Sequence, residues 1–195
     1  MNENRISTVE RKTNETEVRV TLDLDGGTRI KVSTGIGFFD HMLTTLAFWA
    51  GWDLDLTCKG DLEIDNHHSV EDTGLVVGQA LAQAQGDGGE IERIASALAP
   101  LDEALSQAVV DLSGRPFWVI DLQLTCERVG TFETAMTEHF FRSFATTGKL
   151  NLHLRQLEGA NDHHIIESMC KALGLALRQA LRPRTGRIAS TKGII

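Results

Sequence analysis

Apolar and polar positions follow two periods along this chain, and each period occurs in both halves. Residues 67–85 carry Val70, Val77, Leu81 and Ala84, and residues 163–181 carry Ile166, Met169, Leu173, Leu177 and Ala180. Those spacings place one apolar stripe on each of two long helices. Residues 53–59 and 149–156 alternate instead, which predicts strands with one buried face. Residues 17–24 (EVRVTLDL) and 28–33 (TRIKVS) flank Asp25-Gly26-Gly27 and read as a hairpin. Residues 103–112 and 116–121 flank Ser113-Gly114-Arg115 in the same way. A first strand is expected before each hairpin, near 5–12 and 93–99, and a shorter helix after it, at about 39–50 and 132–147. Pro183 is placed to close the second long helix.

The chain therefore reads as a tandem duplication of a β-β-β-α-β-α half, residues 1–88 and then 89–195 with a basic C-terminal tail. The expected fold class is α+β, with two four-stranded sheets, helices gathered on one side of each and packed between them, about a pseudo-two-fold axis.

Composition narrows the class. The 195 residues are 42% hydrophobic and 24% charged, enough for a real core. No apolar run approaches the roughly 18 residues of a membrane span, and the polar start MNENRISTVERKT lacks a signal-peptide core. No membrane association and a cytoplasmic location are expected. The net charge of −8 argues against general nucleic-acid binding. Beyond Glu167 the acidic residues stop, while Lys171, Arg178, Arg182, Arg184, Arg187 and Lys192 follow. Cys58, Cys126 and Cys170 are odd in number and lack C-x-x-C spacing, so buried free thiols are expected.

The histidines change the picture most. Six of the seven occupy repeated places: His41, then His67 and His68, and in the second half His139, then His163 and His164. From lone histidine to pair is 26 residues in the first half and 24 in the second. Glu71 and Glu167 follow at the same offset from each pair. His153, in the strand LNLHLRQ, is given no role. Residues three and four apart share a helix face, so His67 or His68 can converge with Glu71 on one ion. Adjacent helical histidines point about 100° apart and must feed two neighbouring ions, or one site in this subunit and one shared with a partner. Two sites are expected, each taking one histidine from each pair, one glutamate and one of His41 and His139. That donor set, with open positions, suits an octahedral first-row ion better than a closed zinc site. Helix capping by Asn66 and Asp162, with early glutamates favouring the helix dipole, accounts for the carboxylates but not for six matched imidazoles.

The stretches GIGFFDHML (35–43), DNHHSVEDTG (65–74), DEALSQAVVDLSGRP (102–116), EHFFRSFA (138–145), NDHHIIES (161–168) and STKG (190–193) closely resemble the imidazoleglycerol-phosphate dehydratase family of histidine biosynthesis, in its monofunctional form. The resemblance spans nearly the whole chain. It implies a duplicated fold of the ribosomal protein S5 domain 2-like kind and a homo-oligomer of 24 subunits. It also implies two Mn(2+) ions per subunit, at sites where subunits meet. The implied metal ligands are His41, His67, His68, Glu71, His139, His163, His164 and Glu167. The implied substrate contacts are Glu15, His41, Arg93, Arg115, Lys171, Ser190 and Lys192.

The implied reaction is a hydro-lyase step: D-erythro-imidazole glycerol phosphate loses water to give imidazole acetol phosphate. The carbon that loses its proton is not beside a carbonyl, so the imidazole ring must act as electron sink, which suits ring nitrogens bound to two metal ions. A glutamate is expected to take that proton, hydroxide leaves through a diazafulvene-like intermediate, and the enol tautomerises. Glu167 and Glu71 are candidate bases and Glu15 a candidate to orient the substrate hydroxyls; residue types alone do not rank them. Arg93, Arg115, Ser190 and Lys192 suit a phosphate dianion.

Three rivals share parts of this pattern. LDLDG (22–26) and DLDLT (53–57) approach the aspartate signature of a phosphatase but lack its strand–helix context. A metal-storage cage fits the ligands but not the basic residues. A metal hydrolase would release phosphate from generic esters.

Overall fold

The computed structural model describes residues 5–27, 29–86, 91–184 and 189–190. The first half runs β1 (Ile6–Lys12), β2 (Thr16–Asp23), β3 (Ile30–Ser33), α1 (Gly37–Ala50), β4 (Asp53–Gly60) and α2 (His67–Gln85). The second runs β5 (Ile94–Leu101), β6 (Ala104–Asp111), β7 (Phe117–Asp121), a small pair β8 (Arg128–Val129) and β9 (Phe132–Glu133), α3 (Met136–Gly148), β10 (Asn151–Glu158) and α4 (Asp162–Ala180). The α+β class and the doubled β-β-β-α-β-α order are those the periodicities predict. The expected boundary at 88/89 lies outside the described residues.

Strand pairing departs from the expected hairpins. The sheets are ordered β1-β2-β4-β3 and β5-β6-β10-β7, so the fourth strand of each half inserts between the second and third. The antiparallel hairpins are β1–β2 and β5–β6, while β3 and β7 pair in parallel with β4 and β10. Asp25-Gly26-Gly27 is therefore part of a crossing loop rather than a two-residue turn. Asp53, at the start of the inserted strand, captures that loop: its carboxylate accepts from Gly27 N–H, Arg29 N–H and Arg29 Nε at 2.7–2.8 Å. The Gly27 amide, then the Arg29 amide and side chain, hold the Asp53 carboxyl below the usual carboxylate range. Asp53 is thus a structural clamp, which removes DLDLT from the phosphatase reading. Asp25 of LDLDG pairs with Arg5, on a loop that leads into no helix.

Other details differ locally. The helix expected at 132–147 begins at Met136, because Phe132 and Glu133 pair with β8. Asn161, not Asp162, caps α4, accepting from His163 and His164 N–H. Asp162 is buried and holds the preceding loop, accepting from Thr125 and Cys126 N–H at 2.8 and 2.6 Å. Asn66 stands at the cap position of α2 without capping it; its Oδ1 accepts from Glu133 N–H instead. Cys58 and Cys170 are buried as expected, but Cys126 is exposed on that loop. No helix among the described residues is long and apolar enough to cross a membrane.

The four helices lie between the sheets. The long helices α2 and α4 each cover their own sheet, and the short ones cross over: α1 packs on α4, and α3 packs on α2. One hydrophobic core runs through both halves, from Val20 and Leu56 to Leu154 and Leu173. The predicted stripes, Val70, Val77, Leu81 and Ala84 and their counterparts on α4, are buried in it. Glycines permit the crossings. A Cβ on Gly174 would lie 2.7 Å from Leu46 O and 2.8 Å from Trp49 Cβ. One on Gly74 would lie 2.8 Å from Phe140 O, and Gly78 is equally tight against α3.

The outer sheet faces are unlike. The first exposes mainly charged residues, Glu10, Lys12, Glu17, Arg19, Asp55 and Lys59, with Ile6; the second exposes Ile94, Leu98, Phe117 and Leu157, with Arg155 and Asp121. His153 sits half-buried on that second face, opposite Val109 and Val119.

Gly174→Ala tests the crossing. An exposed helix would gain about 1 kcal/mol from this change. Here backbone must move apart, and a net loss of about 1–3 kcal/mol is expected, read as a lowered midpoint in denaturant. An unchanged or raised midpoint would show that the helices do not need this approach.

Candidate metal centre and anion-binding residues

The crossing of α1 over α4 brings together residues from opposite halves. His41 Nε2 lies 3.0 Å from Glu167 Oε2, and His163 Nε2 lies 3.3 Å from the same oxygen. One ligand atom from each of the three falls within 4.8 Å of the others. His163 and Glu167 share a face because they are four residues apart. The crossing of α3 over α2 brings together a looser counterpart, whose ligand atoms do not all fall within that distance. His67 Nε2 is 3.4 Å from Glu71 Oε2, and the His67 and His139 rings are 4.7 Å apart. Each cluster thus joins the lone histidine of one half to the His–Glu pair of the other.

The second member of each histidine pair faces elsewhere, as the turn of a helix requires. His68 Nδ1 meets Asp61 Oδ2 at 3.0 Å, and His164 Nδ1 meets Glu103 Oε2 at 2.7 Å. Their Nε2 atoms stand 3.8 Å from Glu15 Oε1 and 3.9 Å from Asp102 Oδ2, beyond hydrogen-bond reach. Within one chain, then, each cluster draws on one histidine pair, not on both as the spacing suggested. His68 and His164 present their Nε2 atoms apart from the clusters.

Charge follows these contacts. The Asp61 hydrogen bond raises the His68 pKa above the ordinary histidine value, and the Glu103 hydrogen bond does the same for His164. Glu103 in turn is held down at about 2, first by His164 and then by the Asn161 amide. Burial pushes Glu167 upward, but hydrogen bonds from Lys171 and His41 outweigh it, and the net shift is downward. Lys171 Nζ lies 2.9 Å from Glu167 Oε1, leaving Oε2 to the histidines. Glu71 is more open, and beside it Arg142 approaches His139 Nδ1 at 3.2 Å. Glu15 is exposed, in the β1–β2 turn. Burial pushes the Cys170 thiol up to about 12, so it is an inert core residue.

The donor set of the first cluster fits divalent metal: two imidazole nitrogens and a carboxylate oxygen within 4.8 Å of one another, with Nδ1 of two more imidazoles tied to carboxylates nearby.

Three residues expected to contact phosphate, Arg93, Arg115 and Ser190, lie away from the histidines. Arg93, in a left-handed conformation at φ 72°, ends just before β5. Its guanidinium forks onto Asp111 at 2.6 and 3.0 Å, and also donates to Ala189 O, which ties the 189–190 segment there. Arg115 is exposed in the β6–β7 loop, and its carbonyl accepts from Asn151 Nδ2. Ser190 is half-buried beside Ala189; Lys192 lies outside the described residues. Arg93 N–H bonds Ala180 O at the C-terminal end of α4, whereas the histidines stand at its N-terminal end. Nineteen helical residues separate the two ends, about 28 Å. Among the described basic contacts, Lys171 alone reaches a histidine cluster in the same chain.

Sequence reasoning missed Asp61 and Glu103. An acidic residue in a strand-end loop carries no signal of its own, and only the fold sets it against a histidine.

Fold and site together define a duplicated α+β protein with paired histidine–carboxylate clusters at its helix crossings, and known proteins share both. The model of the imidazoleglycerol-phosphate dehydratase family matches residues 34–177. The imidazoleglycerol-phosphate dehydratase of Gluconobacter oxydans is 52% identical over all of both chains. That of Limosilactobacillus fermentum is 49% identical over 98% of this chain and 100% of its own. Among solved structures, the IGPD of Pyrococcus furiosus superposes with a TM-score of 0.84 at 34% identity, covering 96% of this chain and all of that one. The Staphylococcus aureus enzyme gives 0.81 at 35% identity, covering 91% and 99%. The chain belongs to the imidazoleglycerol-phosphate dehydratase family, and is a hydro-lyase.

Proposed function

We propose that this enzyme acts in the cytoplasm in histidine biosynthesis, removing water from D-erythro-imidazole glycerol phosphate to give imidazole acetol phosphate with two Mn(2+) ions per subunit. One observation carries the metal reading: ligand atoms of His41, His163 and Glu167 converge from opposite halves within 4.8 Å; His67, Glu71 and His139 gather more loosely at the other crossing. His68 and His164 complete the ligand set. When bound, the ions act as Lewis acids on the imidazole nitrogens of the substrate, making the ring an electron sink. Manganese itself is favoured by the family and by a carboxylate–imidazole donor set, not by affinity order.

The three glutamates differ in what already occupies them. Glu167 is shared among His41, His163 and Lys171, and its depressed pKa suits a permanent ligand. Glu71 is its counterpart. Glu15 is exposed, and its nearest charged partner among the described residues, His68 Nε2, stands 3.8 Å from Oε1. We assign Glu15 to the proton on the substrate carbon; the neighbouring hydroxyl then departs with a proton as water, and the enol tautomerises to the ketone. Arg93, Arg115, Ser190 and Lys192 hold the phosphate.

Since Arg93 and the histidines stand at opposite ends of α4, a complete site draws on more than one copy of the chain. The apolar outer face of the second sheet supports such assembly, and we adopt the 24-subunit homo-oligomer.

The first test is turnover by chelator-stripped protein before and after Mn(2+) is added, following the ketone by its absorbance in base. Restored turnover is expected. No turnover by assembled, metal-loaded protein would overturn the reading, and phosphate release from generic esters would replace it with hydrolysis. Glu→Gln at 15, 71 and 167 separates the roles. Glu15→Gln should lower kcat by about 10²–10⁴-fold with manganese content kept, whereas the other two should lose manganese. A Glu15→Gln variant with full turnover would remove Glu15 from the mechanism. Light scattering on the stripped sample addresses assembly. If subunits share ions, the particle mass falls on chelation and returns with Mn(2+); an unchanged mass would refute metal-dependent assembly.

A further inference from the structure

The two halves have matching turns but use their carboxylates differently. Glu15 is the residue just before β2, and Glu103 is the residue just before β6. Each sits near the second histidine of its half, His68 or His164. In the second half, Glu103 takes the Nδ1 of its histidine at 2.7 Å, and its other oxygen accepts from the amides of Ala160 and Asn161. In the first half that Nδ1 is taken instead by Asp61, just after β4, at 3.0 and 3.2 Å from its two oxygens. Glu15 is left at 3.8 Å from the opposite nitrogen, Nε2.

An ionised carboxylate only accepts hydrogen bonds, so an Nδ1 bonded to one carries the proton. In a neutral imidazole the lone pair is then on Nε2. A carboxylate behind a histidine thus selects the tautomer, fixes the ring plane and makes the other nitrogen a better donor to metal. Both rings are partly exposed, and both are braced from behind by a carboxylate.

We infer that Asp61 and Glu103 are positioning residues, which hold His68 and His164 as Nε2 ligands for divalent metal. Asp61 carries the brace in the first half, and this frees Glu15, the counterpart of Glu103, to face the substrate. The inference rests on the metal-dependent reading above. It assigns no contact with substrate to Asp61 or Glu103.

The experiment is a titration of metal-stripped full-length protein with Mn(2+), following free ion by its electron paramagnetic resonance signal, so that turnover is not the readout. Asp61→Ala is the principal variant, because the Asp61 carboxylate braces His68 without also holding a backbone amide. It should weaken manganese binding roughly 10–100-fold, with the thermal midpoint of the metal-free protein within a few degrees of wild type. Asp61→Asn keeps an acceptor oxygen for Nδ1 and should recover part of the affinity. Glu103→Gln, whose amide oxygen keeps an acceptor for Nδ1 and the backbone amides, should weaken binding less than Glu103→Ala. Glu15→Gln should bind manganese as wild type does. Wild-type affinity in both alanine variants would overturn the inference while leaving the metal reading intact. Equal losses in Asp61→Asn and Asp61→Ala, with a matching fall in the metal-free midpoint, would also overturn it, making Asp61 a folding residue. Failure of the wild-type protein itself to bind manganese would instead overturn the metal reading on which the inference stands.

Discussion

Two helix crossings hold this protein together, and their closeness depends on side chains that are missing. Gly174 lets α4 meet the backbone of α1, and Gly74 and Gly78 let α2 meet α3. A helix–helix distance set by ordinary apolar side chains is 8–10 Å between axes; hydrogen in place of Cβ allows a nearer approach. Two consequences follow from one constraint. The halves cannot part without opening the shared core, since each short helix is buried against the other half. And His41 reaches Glu167, and His139 reaches His67, because those backbones touch within about two turns of them. Fold stability and the assembly of the clusters are therefore the same packing problem.

Duplication supplied symmetry, and the functions proposed above lie where the copies diverged. Glu103 is bound to His164 and two amides, while its counterpart Glu15 is left open because Asp61 has taken over the histidine. Lys171 sits against one glutamate, and Arg142 against the histidine of the other cluster. One outer sheet face is charged, the other apolar. A charged face keeps its preference for water; an apolar face of this size gains by being covered. The two halves thus retain the same backbone while presenting different chemistry to substrate, solvent and further copies.

The long basic side chains illustrate how distance along a helix organises function. Arg93 is locked by Asp111 in a backbone conformation that few non-glycine residues adopt. Such local strain persists only where surrounding contacts over-determine it, here the Asp111 fork, the Ala180 carbonyl and the 189–190 segment. It holds a cation at one end of α4 while the histidines are held at the other, a separation that α4, as a rigid rod, does not close.

Periodicity and repetition made the element order, the doubled half, the buried stripes on α2 and α4, and the matched histidines legible in the sequence. Those features are local: a helix shows its apolar face every three or four residues, a His-x-x-x-Glu spacing shares a face in any helix, and a long family motif is read residue by residue. Strand order was not legible, because Gly26-Gly27 permits a tight turn as readily as a loop clamped by Asp53, and the choice is made by β4 entering between β2 and β3. The capping error at Asp162 has the same origin, since its carboxylate serves a loop some 36 residues away in sequence. The sequence by itself determined which residues could bind metal and on which helix faces they lie. Tertiary packing set the rest: each lone histidine joins the opposite half, His68 and His164 are braced by Asp61 and Glu103, and Arg93 stands a helix length away. Those outcomes depend on contacts between segments far apart in the chain, and spacing carries no information about them.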